Sequence, residues 1–377
     1  MIRGMLFAVA AATALSGGAL AQELPAPDMT SAGVRNYLHV AEPVAEGVTL
    51  LRQADVNFFG VVGNVVVIEQ ADGLVLIDSG ASYGSGRRVV DLVRGISPKP
   101  VKAVIVTHWH NDHPLGLSAI IEAWPDAEVI ASVEAARDMD AQMNRAIPRA
   151  PDPAYGGARF LTFRDQALSD ARDATDPGVR AGYQRAADSL LLIAADQAGT
   201  WLVRPTRTVG DGARLDDPER PVEIRQLGRG NTDGDLVMWL PRQKVVVTGD
   251  TVVWPVPYEF NVYPSEWAAV LAEIRAMPFE ALIPGHGEVQ RDRDYLDRLT
   301  GLHQATEAMV RAAVAEGLSR EQIVEQAPAR LADQRRLFVG DDAWRGLWFD
   351  GYAIVPLVVS VHKEVTGERL GPPPPAN

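Results

Sequence analysis

His108-Trp109-His110-Asn111-Asp112-His113 follows a short apolar run at 102–106 that reads as a buried strand, and Thr107 opens the polar stretch. Three of the seven histidines in this chain of 377 residues fall within six positions, with a carboxylate between them. A loop leaving a strand end in this way turns its imidazoles and Asp112 toward one centre. Imidazole with carboxylate suits Zn2+, Fe or Mn far better than Mg or Ca. A hydrogen-bonded polar loop without metal is the competing reading.

Two later segments repeat the pattern of apolar strand followed by polar loop. Val245-Val246-Val247-Thr248-Gly249-Asp250 ends a strand on a carboxylate, although Gly-Asp alone is a weak signal because turns use it freely. Leu282-Ile283-Pro284-Gly285-His286-Gly287 sets a histidine between two glycines, which let the backbone approach a ligand closely. Around them, 48–51, 61–69, 74–78, 102–106 and 129–131 read as strands, and 86–96 and 115–124 as helices. This alternation marks an α/β chain. Residues 132–200 break the rhythm. Helical runs at 133–145 and 181–196, with prolines and a Gly-Gly pair between them, read as a helical insertion in a domain spanning 35–300. Strands resume at 201–209, 222–227, 236–240, 245–248 and 281–284, with a helix at 265–277. A long amphipathic helix at 292–316, then helices at 319–326 and 344–361, predict a helical extension over 301–366. The proline-rich 367–377 reads as a disordered tail.

Taken in order, His108-x-His110-x-Asp112-His113, Gly249-Asp250 and Gly285-His286-Gly287 resemble the motifs of the metallo-β-lactamase fold superfamily. The resemblance covers about 45–290. It implies a four-layer αββα sandwich with a one- or two-metal site at one edge of two sheets. It also implies that His108 and His110 belong to one metal site, that Asp112, His113 and His286 belong to a second, and that Asp250 bridges them. Asp78 resembles the family's supporting aspartate; a simple strand-end turn is the alternative. The family brings a third histidine to the first site in a Gly-His-Thr context. Here the segment is Gly228-Arg229-Gly230-Asn231-Thr232, with Asn231 in that place. A carboxamide is a neutral oxygen donor, weaker toward zinc than imidazole. Three outcomes follow: a dinuclear centre with Asn231 as ligand or as donor to a bound water, a centre mononuclear at the second site, or an inert one. The intact Asp112, His113, Asp250 and His286 favour an active centre.

The resemblance further implies hydrolysis. A metal lowers the pKa of its bound water toward ~7, and the resulting hydroxide attacks an ester, lactone, amide (β-lactam included), thioester or phosphoester. Asp112 would orient that nucleophile and hold its proton. Alternatives are an iron-dependent oxidoreductase on the same fold, which needs the histidine that Asn231 replaces, and a non-catalytic metal- or ligand-binding protein.

Composition narrows the setting. With 47% hydrophobic and 23% charged residues the chain is globular rather than disordered or rod-like. The absence of cysteine removes thiolate zinc sites, Fe–S clusters and disulfides. A net charge of −13 argues against a nucleic-acid partner. At the N-terminus, Arg3 precedes an apolar stretch at 5–15, shorter than the roughly 20 residues a membrane span needs. Ala19 and Ala21 then stand at the small-residue positions of a cleavage site. Residues 1–21 therefore read as a cleaved secretory signal, 22–34 as a flexible lead-in, and the protein as periplasmic or secreted with no membrane anchor after cleavage. Residues 251–264 carry four aromatics and three prolines directly after Asp250. They read either as the wall of an apolar cleft for a small-molecule substrate or as a loop packed on the helix at 265–277. The place of 132–200 in the chain allows its tip to cover the site as a lid. His39, His303 and His362 read as structural.

Overall fold

Successive side chains of a strand face opposite ways, and the strands of this protein divide their residues between two cores accordingly. The computed structural model describes residues 26–55, 58, 60–143, 147 and 156–372. The expected signal at 1–21, the start of the lead-in and the last five residues of the tail lie outside them. Among the described residues, one sheet contains β1 (His39–Ala45), β2 (Val48–Gln53), β3 (Val65–Glu69), β4 (Leu74–Ile77), β5 (Val101–Ile105), β6 (Glu128–Ser132) and β7 (Arg207–Val209), paired in that order. Pairing is antiparallel up to β4 and parallel from β4 onward. A second sheet contains β8 (Gly212–Leu215), β9 (Val222–Arg225), β10 (Val237–Leu240), β11 (Val245–Val247) and β12 (Ala281–Ile283), ordered β12-β11-β10-β9-β8 with only β11–β12 parallel.

Val66, Ile68, Val75 and Ile77 of the first sheet meet Met238, Leu240, Val245 and Ile283 of the second in the core between the sheets. Their alternates face outward. Val65, Val67, Leu74 and Leu76 pack under α2 (Tyr83–Ile96), α3 (Leu117–Ala123) and α4 (Val133–Gln142). Val237, Trp239, Val246 and Leu282 pack under the helices of the opposite face. Each buried Val, Leu or Ile contributes about 1.5–3 kcal/mol, so a one-residue slip, which would exchange the two faces of a strand, is strongly disfavoured. The result is the four-layer αββα sandwich that the resemblance implies.

The remaining helices are α1 (Ala32–Tyr37), α5 (Gly156–Asp173), α6 (Pro177–Asp196), α7 (Pro264–Ala276), α8 (Asp294–Ala315), α9 (Arg320–Arg330), α10 (Ala332–Val339), α11 (Ala343–Trp348) and α12 (Val355–Thr366). The sequence reading missed the edge strand β1, which carries Pro43, and the short β8. It extended a strand over 201–209 where only Arg207–Val209 pairs; Pro205 has no N–H to give a ladder. It left 156–173 irregular, yet α5 starts at Gly156, whose φ of +53° suits glycine. The lead-in is shorter than 22–34: Ser31 caps α1, and Val34 and Tyr37 are buried. The helix expected at 344–361 is present and runs without a gap through α11, a π-helical turn at Phe349–Ile354, and α12. Pro356, directly after this turn, has no N–H for the carbonyl of Tyr352, four residues earlier.

Candidate metal centre

Strands β4, β5, β11 and β12 all end at the same edge of the sandwich. Each passes directly into a polar loop: Asp78 after β4, Thr107 to His113 after β5, Asp250 after β11 and His286 after β12. The carboxyl ends of parallel strands are where α/β sheets place ligand-binding groups.

Six of the seven residues singled out in the sequence form two adjacent groups. Ligand atoms of His108, His110 and Asp250 lie within 4.8 Å of one another, as do those of Asp112, His113 and His286. One oxygen of Asp250 faces each group: Oδ2 is 3.6 Å from His108 Nε2, and Oδ1 is 3.2 Å from His113 Nε2 and 3.5 Å from His286 Nε2. Asp112 Oδ2 is 3.0 Å from His286 Nε2 and 3.7 Å from His113 Nε2. This close convergence requires glycine at 285, since a Cβ there would lie 2.0 Å from Asp250 Oδ1.

The ring orientations are set from behind. His113 Nδ1 is 2.8 Å from Asp78 Oδ2, which turns Nε2 toward Asp250. The Asp78 carboxylate also accepts from the Thr107 N–H and hydroxyl, both at 2.8 Å, and the Thr107 hydroxyl lies 2.9 Å from His108 Nδ1. A carboxylate behind a ligating imidazole fixes its tautomer, so Asp78 is more than a strand-end turn. Its φ of +61° is a conformation that Asp tolerates better than most residues.

Electrostatics and unmet polar atoms suit a cation. Burial drives the His108 imidazole well below its ordinary pKa, and the neighbouring imidazoles add to this. Burial works to raise Asp112, but His113 and His286 together hold it well below the usual carboxylate range. His113 Nε2, Asp250 Oδ1 and Asn231 Oδ1 are buried without a hydrogen-bond partner. Buried imidazoles, carboxylates and unpaired polar atoms facing one spot are the donor set of a divalent transition metal.

Asn231 lies in the loop between β9 and β10, buried on the wall of the same cavity as His110 and Asp250. The cavity, of about 320 Å³, opens onto both groups. Residues 251–264 supply much of its wall, through Val253, Trp254, Val256, Tyr258 and Phe260. The same segment also packs on α7, with Trp267 Nε1 donating to the Thr251 carbonyl at 3.1 Å, so both readings of it hold. None of the described residues of 132–200 lines the cavity; α6 packs instead on α1, α2 and α11. That part of the insertion buttresses the core, and its tip, on which the lid reading falls, lies outside the described residues.

Sequence reasoning missed several cavity residues. Phe58 and Tyr352 line it, with the Tyr352 hydroxyl donating to the Phe58 carbonyl at 2.9 Å. The expected disordered tail contributes Pro372 to the lining, and Gly371 is buried beside Tyr263. It also missed Asn64, whose Nδ2 donates to the Pro284 and Gly287 carbonyls at 2.8 and 3.0 Å, while its N–H donates to the Gly285 carbonyl. These bonds clamp the loop on both sides of His286. Asn64→Ala leaves two buried carbonyls without this donor, so unfolding in urea is expected to show a loss of about 2–3 kcal/mol. An unchanged midpoint would contradict the clamp.

The four-layer sandwich and the two groups of candidate metal ligands at its edge are those of a known superfamily. The chain belongs to the metallo-β-lactamase superfamily, whose sequence model matches residues 59–286. It is similar to a linear primary-alkylsulfatase of Pseudomonas sp. (strain ATCC 19151), with 23% identity over 283 residues that cover 71% of this chain and 50% of the relative. Among solved structures it is similar to a stereoselective inverting sec-alkylsulfatase from Pseudomonas sp., with 18% identity and a TM-score of 0.60, covering 87% of this chain and 50% of that one. The chain thus spans about half the length of these alkylsulfatases, and the structural likeness shows the fold.

Proposed function

We propose that the protein is a zinc-dependent hydrolase of the periplasm or cell exterior that cleaves an ester-type bond in a small substrate with an apolar alkyl or aryl group. One observation carries the reading: two imidazole–carboxylate groups share Asp250 at the floor of a cavity walled by aromatic side chains. His108, His110 and Asp250, with Asn231 beside them, would hold one ion; Asp112, His113, His286 and the other oxygen of Asp250 would hold the second. Bound there, a divalent metal supplies Lewis acidity and activates water at neutral pH. The Asp112 carboxylate, reached from the cavity, orients the attacking water and takes its proton. Asp78 keeps His113 in the tautomer that presents Nε2. Trp254, Tyr258, Phe260 and Tyr352 receive the apolar group and exclude bulk water.

The alkylsulfatase relative makes alkyl sulfates the first esters to test, followed by carboxylic esters, lactones and β-lactams. Metal analysis of protein purified without chelator is expected to give one to two zinc ions per chain. The zinc-loaded protein is expected to turn over one ester class in preference to the others. A folded, zinc-loaded protein inert on all four classes would sink the hydrolase reading in favour of metal-dependent binding.

A further inference from the structure

Asn231 Nδ2 donates to the main-chain carbonyl of Tyr258 at 3.0 Å. A carboxamide that commits its NH2 to a carbonyl turns its oxygen the opposite way, and Asn231 Oδ1 is the buried, unpartnered atom. The place of the Tyr258 carbonyl therefore decides where that oxygen points. The next residue, Glu259, is 0% exposed, and its Oε1 lies 3.1 Å from Nε2 of His303 on α8. The His303 ring is itself held edge-on against Trp267, with centroids 5.0 Å apart. The Glu259 N–H donates at 2.9 Å to the carbonyl of Tyr352, the one that Pro356 cannot serve. Two bonds to the C-terminal helices thus fix the residue that follows Tyr258. Neither Glu259 nor His303 lines the cavity, and α8 lies beyond the stretch matched by the family's sequence model.

A buried carboxylate is costly unless paired, and such pairs are kept in some proteins because they specify one arrangement. We propose that Glu259 and His303 are positioning residues: their pairing pins the Tyr258 carbonyl, which aims the Asn231 oxygen into the cavity beside His110 and Asp250. Through this latch, α8 sets the metal affinity of the group formed by His108, His110 and Asp250. The proposal rests on reading that group as a metal site.

The test is a double-mutant cycle on the full chain, read as zinc stoichiometry and as zinc affinity by chelator competition, with circular dichroism to confirm folding. Asn231→Ala and His303→Ala are each expected to weaken one of two zinc sites by roughly tenfold or more. The double variant is expected to be no weaker than Asn231→Ala alone, and His303→Gln, which keeps a donor toward Glu259, is expected to restore affinity. If His303→Ala does not fold, Glu259→Met combined with His303→Leu fills the same space without the pair, with the same loss expected. Losses that add in the double variant, or unchanged affinity in a folded latch variant while Asn231→Ala is impaired, would overturn the latch itself. Unchanged affinity in Asn231→Ala would overturn its premise that Asn231 faces the ion. A native chain that takes up no zinc would overturn the metal-site reading on which both stand.

Discussion

Asp112→Asn is expected to give a folded protein that has lost most of its turnover and one of its metal ions. Asparagine has the same shape as the aspartate it replaces, the side chain is 20% exposed, and the main-chain carbonyl that accepts the Gly63 N–H at 3.0 Å is untouched by the substitution. What disappears is the only anion belonging solely to the group formed with His113 and His286. An amide oxygen is a weaker donor to zinc and cannot take a proton from water. Loss of a positioned acid–base group costs typically 10²–10⁴ in rate, about 3–5 kcal/mol of activation free energy. Metal analysis, circular dichroism and kinetics on the substrate identified in the ester panel test this together. Native turnover with native metal content would remove Asp112 from the role assigned to it.

The second large effect is on stability. Asp78→Ala is expected to lower the unfolding free energy by about 4 kcal/mol or more. Asp78 is buried and accepts three hydrogen bonds, from Thr107 N–H, the Thr107 hydroxyl and the His113 ring. Removing one member of a buried charged network typically costs 3–5 kcal/mol. Alanine at a φ of +61° adds roughly 1–2 kcal/mol of backbone strain. Against a typical total stability of 5–15 kcal/mol, this leaves a marginal protein. Urea unfolding of the metal-free chain isolates the effect from metal loss. A decrease below about 1 kcal/mol would mean that water or another group replaces Asp78 at little cost.

The chemistry of the centre was legible because its ligands cluster locally. Three histidines within six residues, and single acidic or imidazole residues at the ends of apolar strands, can be seen without knowing how the strands pair. The alternation of Val66 and Ile68 with Val65 and Val67 likewise announces a strand buried on both faces. Residues that act across the fold carry no such local mark. Asn64 looks like any polar residue within the strand read at 61–69, and its partners are more than 200 residues away. Tyr352 sits inside one helical run, and only the missing N–H of Pro356 leaves its carbonyl for Glu259. His303 reads as a structural histidine because nothing nearby in the chain names its buried partner. The edge strand β1 was hidden by Glu42 and Pro43, which interrupt its apolar run; a charge and a proline also protect a sheet edge from further pairing.

The sharing of Asp250 gives the centre a mechanical character. One sheet supplies the loop that carries His108 through His113, and the other supplies Asp250 and His286. Neither layer owns the centre, so the gap across that single carboxylate gauges how tightly the two layers are pressed together. Prying the layers apart by an ångström or two would open the ion cradle before it disturbed the hydrogen bonds within either sheet. Ejection of the cation and loosening of the interior between the layers should then be one cooperative event.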